Sequence, residues 1–233
     1  MDRFEHDIPE TLILPGWGIP RELCWKSVEQ SSFESPDIFD YGFFSDEESP
    51  MNLPVFEEGI PPVIAGHSMG AILAVKLALQ NLGSVSKLIL INPFPKFVRS
   101  EDFPCGWDPA AVRSMRENLK TRPQTVIRSF LRSCAMPEKY PDPVPETFNI
   151  QALDEGLAMI EESDIRAELP LLNDIPVFIL DGGSDRIVNR EMADSLAKLC
   201  PSSVRHTFPG MGHLMNVQHP LECAEKLREM TAL

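Results

Sequence analysis

The 233-residue chain has no apolar run long enough for a membrane-spanning helix. Its longest apolar stretch, residues 70–79, falls short of the roughly 18 residues that a span requires and contains Lys76. Residues 1–7 mix acidic and basic side chains without an apolar segment, so they do not resemble a secretory signal. We therefore expect a cytoplasmic protein with no membrane span.

Cysteine is sparse and follows no recognisable pattern. The five cysteines are odd in number and widely spread, with no Cys-x-x-Cys pair and no Cys/His cluster at zinc-binding spacing. This distribution favours free thiols in a reducing compartment, where they serve as small buried apolar residues. We expect no metal and no organic cofactor.

Basic residues are also scarce relative to acidic ones. Lys and Arg number 21 against 35 Asp and Glu, which gives a formal net charge of −14. A chain this acidic is repelled by phosphates, so we expect no nucleic-acid partner. The apolar fraction of 43% is high enough to build a core and argues against disorder.

Short apolar runs alternate with helical patterns along much of the chain. Residues 11–14, 62–65, 87–91 and 177–180 are uniformly apolar, as in strands that are buried on both faces of a parallel sheet. Between the second and third runs, residues 71–79 are apolar on nearly every side, which predicts a helix packed between layers. The alternation predicts an α/β fold with a mostly parallel sheet flanked by helices.

The pattern changes between residues 97 and 170, where three helical segments occur without a strand-like run. After this segment, strand signals resume and include one near residues 203–208, and a last helix begins at Pro220. We predict that residues 1–96 and 171–233 form the core and that residues 97–170 form an inserted helical lid.

The sharpest motif is the G-x-S-x-G sequence at residues 66–70. It lies between a predicted buried strand and an apolar helix, which is the setting of a nucleophile elbow. The tight turn strains the backbone of Ser68 and leaves no room for side chains at Gly66 and Gly70. We predict that Ser68 is a nucleophile at the positive end of the helix and that His67 is structural. The alternative is a serine in an ordinary glycine-rich turn.

A serine nucleophile needs a base, and the base needs a group that orients it. In this kind of fold the chain order is serine, acid, histidine. Asp185 follows the fourth apolar run, and His213 follows the next strand, so both lie at carboxyl ends of strands. We predict a catalytic triad of Ser68, Asp185 and His213. The competing residues are Asp181 for the acid and His206 or His219 for the base.

An ester hydrolase also needs two backbone N–H donors for the oxyanion of its tetrahedral intermediate. Met69, the residue after the nucleophile, is the expected first donor. The loop at residues 15–18 is expected to supply the second donor from Trp17, whose indole would line the substrate pocket. The alternative for Trp17 is a core tryptophan beside a turn.

Taken together, these motifs resemble those of the alpha/beta hydrolases, and more narrowly of the pimeloyl-[acyl-carrier protein] methyl ester esterases of biotin synthesis. Residues 14–18, Leu-Pro-Gly-Trp-Gly, are similar to the oxyanion loop of that family. Residues 125–126 and 130–131 are similar to its acyl-channel helix, and residues 156–157 and 164–166 to its third lid helix. The elbow and the His213 loop are shared by the whole superfamily.

The resemblance implies a serine carboxylesterase that hydrolyses the methyl ester of pimeloyl-[acyl-carrier protein] in the synthesis of a biotin precursor. Methanol would leave, and the acyl-enzyme would then be hydrolysed. We expect Trp107, Phe130 and Leu131 to line the acyl channel. Alternatives on the same fold are a general short-acyl carboxylesterase, a thioesterase or a carbon–carbon bond hydrolase. A lyase or synthase and a non-catalytic binding module also stay open.

Residues 111–132 carry six basic side chains and one acidic side chain, in contrast to the rest of the chain. Lid arginines of the resembled family contact the acyl carrier protein, which implies docking by Arg113, Arg116, Arg128 and Arg132. Such a local patch can outweigh the net charge, because the Debye length at physiological salt is about 8 Å. The alternative is that these arginines form the solvated faces of amphipathic helices. We expect a monomer.

Overall fold

The computed structural model describes residues 11–24, 36–55, 59, 62–140 and 143–231. Within these ranges the chain forms a six-stranded, entirely parallel sheet that is flanked by helices. The predicted α/β fold is therefore confirmed. Among the described helices, none is both long and apolar enough to cross a bilayer.

Six strands build the sheet, and four of them coincide with the predicted apolar runs. The strands are β1 (Thr11–Leu14), β2 (Pro36–Ile38), β3 (Val63–His67), β4 (Lys87–Ile91), β5 (Val177–Gly182) and β6 (Val204–Phe208). Their spatial order is β2-β1-β3-β4-β5-β6. Gly66 pairs with Leu14 on one side and Leu90 on the other, so the elbow motif lies at the carboxyl end of a central strand.

Helices connect the strands and cover both faces of the sheet. They are α1 (Met69–Gln80), α2 (Pro109–Leu119), α3 (Pro123–Ala135), α4 (Ile150–Glu162), a 3-10 helix (Leu169–Leu172), α5 (Arg190–Leu199), α6 (Met215–Gln218) and α7 (Pro220–Thr231). The Asp108 side chain caps α2 by accepting the N–H of Ala110 at 2.8 Å. Helices α2, α3 and α4 fall between β4 and β5, in the segment predicted to form a lid. The division into core and lid stays a prediction.

The apolar core lies on both faces of the sheet, which explains why the strands are apolar throughout. Leu88 and Leu90 of β4 belong to the larger core cluster, whereas Ile89 between them belongs to the smaller one on the opposite face. Successive side chains of one strand are thus buried on opposite faces of the sheet. Four cysteines are buried, as expected for small apolar side chains: Cys24, Cys134, Cys200 and Cys223. The fifth, Cys105, is only partly buried, so the expectation of burial does not hold fully for it.

Candidate active site

Ser68 occupies the turn between β3 and α1 in a backbone conformation that is rare for a residue with a side chain. Its φ is 55° and its ψ is −116°. The turn is held by two backbone hydrogen bonds: Ser68 N–H donates to the Ile91 carbonyl, and the Ser68 carbonyl accepts from Ala71 N–H, both at 2.9 Å. A strained, well-supported serine at the end of a central strand matches the geometry predicted for a nucleophile elbow.

Close backbone contacts explain the glycines on either side of Ser68. A Cβ on Gly66 would lie 2.6 Å from the Ala71 Cα, and one on Gly70 would lie 2.6 Å from the carbonyl carbon of Leu14. Both distances are far below normal van der Waals contact, and the atoms involved belong to the backbone. The G-x-S-x-G pattern is therefore a steric requirement of this turn.

His213 and Asp185 form a buried hydrogen-bonded pair beyond β6 and β5. The His213 Nδ1–H donates to Asp185 Oδ2 at 2.7 Å, and the two side chains are 1% and 2% exposed. Because a carboxylate can only accept, Nδ1 carries a ring proton, and Nε2 carries a lone pair whenever the imidazole holds a single proton. Among the described residues, that Nε2 has no hydrogen-bond partner. The pair can therefore accept a proton at Nε2.

The loop after β5 holds the carboxylate of Asp185 in place. Its second oxygen, Oδ1, accepts the backbone N–H groups of Ile187 at 2.7 Å and Val188 at 3.0 Å. One carboxylate oxygen therefore accepts hydrogen bonds from the loop, and the other accepts the hydrogen bond from His213. This division fixes the orientation of the carboxylate toward the imidazole.

The competing acid, Asp181, has a different set of partners. Arg205 donates to both of its oxygens, at 2.6 and 3.1 Å, and the Thr207 hydroxyl donates to Oδ2 at 2.9 Å. The bidentate ion pair joins β5 to β6. These partners fit a structural role for Asp181, and the contact with His213 is made by Asp185 instead.

The other candidate histidines contact neither Asp185 nor Ser68 in the hydrogen bonds of the described residues. The His206 ring packs edge-on against Phe208, with ring centroids 4.6 Å apart. The His219 ring pairs with the carboxylate of Glu138. The first contact lies within β6, and the second joins the start of α7 to the segment after α3, so both are structural.

His67, which precedes the nucleophile, is buried beside His213. Its Nε2–H donates to the backbone carbonyl of His213 at 2.9 Å, and the two imidazole rings have centroids 4.8 Å apart. Burial, together with the neighbouring His213 ring, lowers the pKa of His67 to about 3. His67 is therefore neutral at ordinary pH and acts as a hydrogen-bond donor.

Asn92 is a site residue that the sequence analysis missed. It follows β4 with φ at 45°, is fully buried, and accepts the N–H of Gly182 on Oδ1 at 2.8 Å. Its Nδ2 donates to the His213 carbonyl at 2.8 Å. The available signal was an asparagine directly after an apolar run, because asparagine tolerates the left-handed region and can bond across a turn.

The loop predicted to supply an oxyanion donor lies against the nucleophile. A Cβ on Gly16 would be 3.2 Å from the Cβ of Ser68. The neighbouring Trp17 is buried, and its indole N–H donates to the Leu153 carbonyl of α4 at 2.8 Å. Met69 is the first residue of α1, so its N–H has no acceptor within that helix. The oxyanion roles of Trp17 and Met69 stay predictions.

A cavity of about 410 Å³ opens between α2 and α3. Trp107 and Phe130, two of the predicted acyl-channel residues, line it together with Met115, Val126 and Ile187. Leu131 is instead fully buried in the larger core cluster and does not line this cavity.

Two contacts relate this cavity to the predicted triad and oxyanion loop. The Phe130 ring packs edge-on against Trp17, with centroids 4.8 Å apart. The Trp107 indole N–H donates to the carbonyl of Ile187 at 2.7 Å, and Ile187 in turn bonds Asp185. The cavity wall is therefore in direct contact with the segments that carry the candidate site.

The four predicted docking arginines differ in their surroundings. Arg116 donates to both oxygens of Asp154, at 2.8 and 3.1 Å, and to Glu161 at 3.2 Å, and these bonds raise its pKa. Arg113 lies 3.7 Å from Glu161. Arg128 and Arg132 are exposed on α3 and form no ion pair with a described residue.

The sequence matches the alpha/beta hydrolase family over residues 11–226. The chain belongs to this family. A pimeloyl-[acyl-carrier protein] methyl ester esterase of Stenotrophomonas maltophilia strain K279a is 27% identical to this alpha/beta hydrolase, over 96% of the chain and 93% of the relative. A protein of the same name from Xanthomonas oryzae pv. oryzae strain MAFF 311018 is 28% identical, over 96% of the chain and 95% of the relative.

Solved structures share the fold of this alpha/beta hydrolase at low sequence identity. An esterase from Exiguobacterium antarcticum superposes with a TM-score of 0.78 at 19% identity, covering 96% of this chain and 91% of the esterase. The enol-lactonase from Burkholderia xenovorans LB400 gives a TM-score of 0.75 at 13% identity, covering 99% of this chain and 94% of the lactonase. These likenesses establish the architecture.

The arrangement offers nucleophilic chemistry at a single serine. A strained Ser68, a buried imidazole with a lone pair on Nε2 and a carboxylate on the opposite nitrogen are the parts of a proton relay. Within the described ranges, His, Cys, Asp and Glu side chains do not gather in groups of three that could hold a metal ion.

Proposed function

We propose that this alpha/beta hydrolase is a serine carboxylesterase that hydrolyses the methyl ester of pimeloyl-[acyl-carrier protein], releasing methanol, in the synthesis of a biotin precursor. The observation that carries the proposal is the 2.7 Å hydrogen bond between His213 and Asp185, combined with the left-handed conformation of Ser68 in the elbow. The named relatives at 27–28% identity support the substrate class.

The reaction begins when His213 Nε2 takes the proton of the Ser68 hydroxyl as its oxygen attacks the ester carbonyl. Asp185 orients the imidazole and stabilises its cation, while the N–H groups of Trp17 and Met69 bind the oxyanion. The tetrahedral intermediate expels methoxide, which takes the proton from His213 and departs as methanol. A water molecule then attacks the acyl-enzyme while His213 takes its proton. The acyl C–O bond to Ser68 breaks, and His213 returns the proton to the Ser68 oxygen as the acid product leaves.

The cavity beside α3 suits an unbranched acyl chain. Its apolar wall includes Trp107, Met115, Val126 and Phe130. Five buried methylenes at ~0.8 kcal/mol each contribute about 4 kcal/mol, enough to favour one chain length over much shorter ones. A free carboxylate at the reacting end would have to be desolvated there, so the neutral methyl ester is preferred.

The exposed face of α3 is proposed to dock the acidic carrier protein. Arg128 and Arg132 are four residues apart, hence on one side of the helix, and both are exposed. At physiological salt, charges farther from the contact than the Debye length of about 8 Å are largely screened. The two arginines at the contact therefore act on the carrier more strongly than the net charge of −14 spread over the chain. A docking role for Arg113 and Arg116 requires them to exchange their present partners, Glu161 and Asp154.

We also propose that residues 97–170 act as the lid. Contacts that support this assignment join the segment to the core at Trp17, which bonds Leu153, and at Ile187, which bonds Trp107. Ser68 is only 5% exposed, as expected of a nucleophile that a lid covers. A covered site excludes bulk water and limits which esters reach the serine.

The decisive experiment compares three substrates with the purified enzyme: pimeloyl-carrier methyl ester, free dimethyl pimelate and a short p-nitrophenyl ester. Methanol release is measured at low and at high salt for the first two. We expect a higher kcat/KM for the carrier-bound ester and a loss of that preference as salt screens the docking charges. Equal values for carrier-bound and free methyl esters at every salt concentration would refute the carrier-bound substrate.

A general short-acyl carboxylesterase or thioesterase is the second candidate. It is favoured by the ion pairs of Arg113 and Arg116, which engage two of the four predicted docking arginines within the protein. For this candidate, short p-nitrophenyl esters or thioesters react fastest and salt has little effect. A carbon–carbon bond hydrolase on the same triad would likewise be recognised by its substrate kinetics. A lyase or synthase is distinguished by the absence of an acyl-serine when the reaction is quenched and analysed by mass spectrometry.

A further inference from the structure

The backbone carbonyl of His213 accepts two side-chain hydrogen bonds at once. His67 Nε2 donates at 2.9 Å and Asn92 Nδ2 donates at 2.8 Å. A carbonyl oxygen has two lone pairs, so the two donors use its full accepting capacity. All three residues are buried, which makes each bond costly to lose.

The two donors come from the segments that also hold the nucleophile. His67 is the last residue of β3 and directly precedes Ser68. Asn92 directly follows Ile91, whose carbonyl accepts the backbone N–H of Ser68 at 2.9 Å. The carbonyl of His213 is therefore tied to the same two strand ends that determine where Ser68 lies.

The side-chain amide of Asn92 has a unique orientation in this network. Its Oδ1 accepts from Gly182 N–H at 2.8 Å, and its Nδ2 faces the carbonyl of His213 at 2.8 Å and that of Gly212 at 3.5 Å. A carboxylate of the same shape would keep the first bond but would turn an acceptor toward two carbonyls. Asparagine is thus the side chain that the position requires.

His67 must likewise donate, because its partner is a carbonyl. Its single ring proton is therefore on Nε2, and the ring stays neutral beside His213. A glutamine side chain at this position would keep an N–H donor, whereas phenylalanine would keep the aromatic ring and lose the donor.

We propose that His67 and Asn92 are positioning residues that clamp the main chain of His213 and thereby set its imidazole relative to Ser68. Asp185 fixes the ring through Nδ1, and the clamp fixes the backbone from which the ring projects. Neither residue touches the reacting atoms, so the effect reaches the reaction only through His213. The inference rests on the proposed role of Ser68 and His213 in ester hydrolysis.

The clamp is tested with His67→Phe, His67→Gln and Asn92→Asp in the full chain. Matched controls make the same changes elsewhere: His206→Phe on β6, and Asn81→Asp at the end of α1. For each protein, kcat and KM are measured with a p-nitrophenyl ester, the rate of fluorophosphonate labelling of Ser68 is followed by mass spectrometry, and Tm is recorded. Labelling of the unmodified enzyme at Ser68 tests the proposed function separately.

We expect His67→Phe and Asn92→Asp to lower kcat by about 10- to 100-fold with KM changed less than about threefold, because a displaced base slows the chemical step without altering substrate contacts. Labelling should slow in proportion. His67→Gln should recover most of the lost kcat, and both controls should stay close to the unmodified enzyme.

Two results would overturn the clamp. One is unchanged kcat and labelling in His67→Phe and Asn92→Asp despite a lower Tm, which would reduce both residues to fold stabilisers. The other is a His67→Gln variant as slow as His67→Phe at the same Tm, which would show that the donor is irrelevant. If the unmodified enzyme is not labelled at Ser68, the proposed function itself fails.

Discussion

The imidazole of His213 and the carboxylate of Asp185 share a 2.7 Å hydrogen bond although they lie 28 residues apart in the chain. Helix α5 and strand β6 lie in that interval, and the pairing depends on β5 and β6 being adjacent in the sheet. The backbone N–H groups of Ile187 and Val188 hold the other carboxylate oxygen. The loop that carries Asp185 therefore fixes its carboxylate independently of the hydrogen bond to His213.

Asp185→Asn should lower kcat by roughly 10⁴-fold with little change in fold, because an amide would donate to Nδ1 and favour the wrong imidazole tautomer. Asp181→Asn is the matched control on the same strand end. Since Asp181 bonds Arg205 and Thr207, that change should lower Tm and leave kcat nearly intact. Steady-state kinetics with an activated ester measures both. The reverse pattern would make Asp181 the acid.

Ser68→Ala should lower kcat by about 10⁴- to 10⁶-fold, because it removes the nucleophile from which the acyl-enzyme forms. Fluorophosphonate labelling should disappear as well. Ser86→Ala is the control, since the Ser86 hydroxyl bonds the Pro62 carbonyl at the far end of the sheet. Near-normal turnover by the Ser68 variant would show that a different group performs the reaction.

Most of the sheet could be predicted from the sequence because its strands are buried on both faces and therefore appear as uniform apolar runs. Strand β2 escaped notice because it has three residues, Pro36, Asp37 and Ile38, and lies at the sheet edge. Helix α5 was also missed. Its N-cap, Asn189, accepts the Met192 N–H at 3.0 Å, so a capping signal was present in the sequence.

The sequence nominates the three candidate residues because each follows a recognisable strand in a known order, and their joint role as a triad stays a prediction. The clamp of His67 and Asn92 was not predictable, since it depends on contacts across 146 and 121 residues that no local pattern reveals. The ion pair of Arg116 also depends on a contact between residues that are distant in the sequence. A count of basic residues cannot show that Asp154, 38 residues away, folds back to neutralise it.

Gly70→Ala should destabilise the protein by at least about 3 kcal/mol, because the added methyl group would overlap the backbone of β1 and Pro15. Gly210→Ala is the matched control: a Cβ there meets nothing within 4 Å in the described residues, and φ lies outside the left-handed region. Urea unfolding measures both variants. Equal stability of the two would contradict the close approach of the elbow to β1.

Reversing charge on α3 should separate carrier docking from chemistry. For the double variant Arg128→Glu and Arg132→Glu, we expect KM for the carrier-bound ester to rise about 10-fold or more at low salt, since like charges then meet at the contact. The KM for a free methyl ester should not change. Arg190→Glu, an exposed arginine on α5, is the control. A KM for the carrier-bound ester that is the same in the double variant as in the unmodified enzyme at low salt would remove α3 from the docking surface.

His67 should make the protein acid-sensitive. Burial lowers its pKa to about 3 in the folded chain, against 6.5 for an ordinary histidine, so between these values the unfolded state binds more protons. The free energy of unfolding should therefore be highest above about pH 6.5 and fall as the pH drops, by up to about 1.4 kcal/mol per pH unit from this residue. His67→Gln removes the titrating group, so its stability should fall less steeply between about pH 6 and about pH 4. Urea unfolding at several pH values compares the slopes, and parallel slopes would mean that another group causes the acid sensitivity.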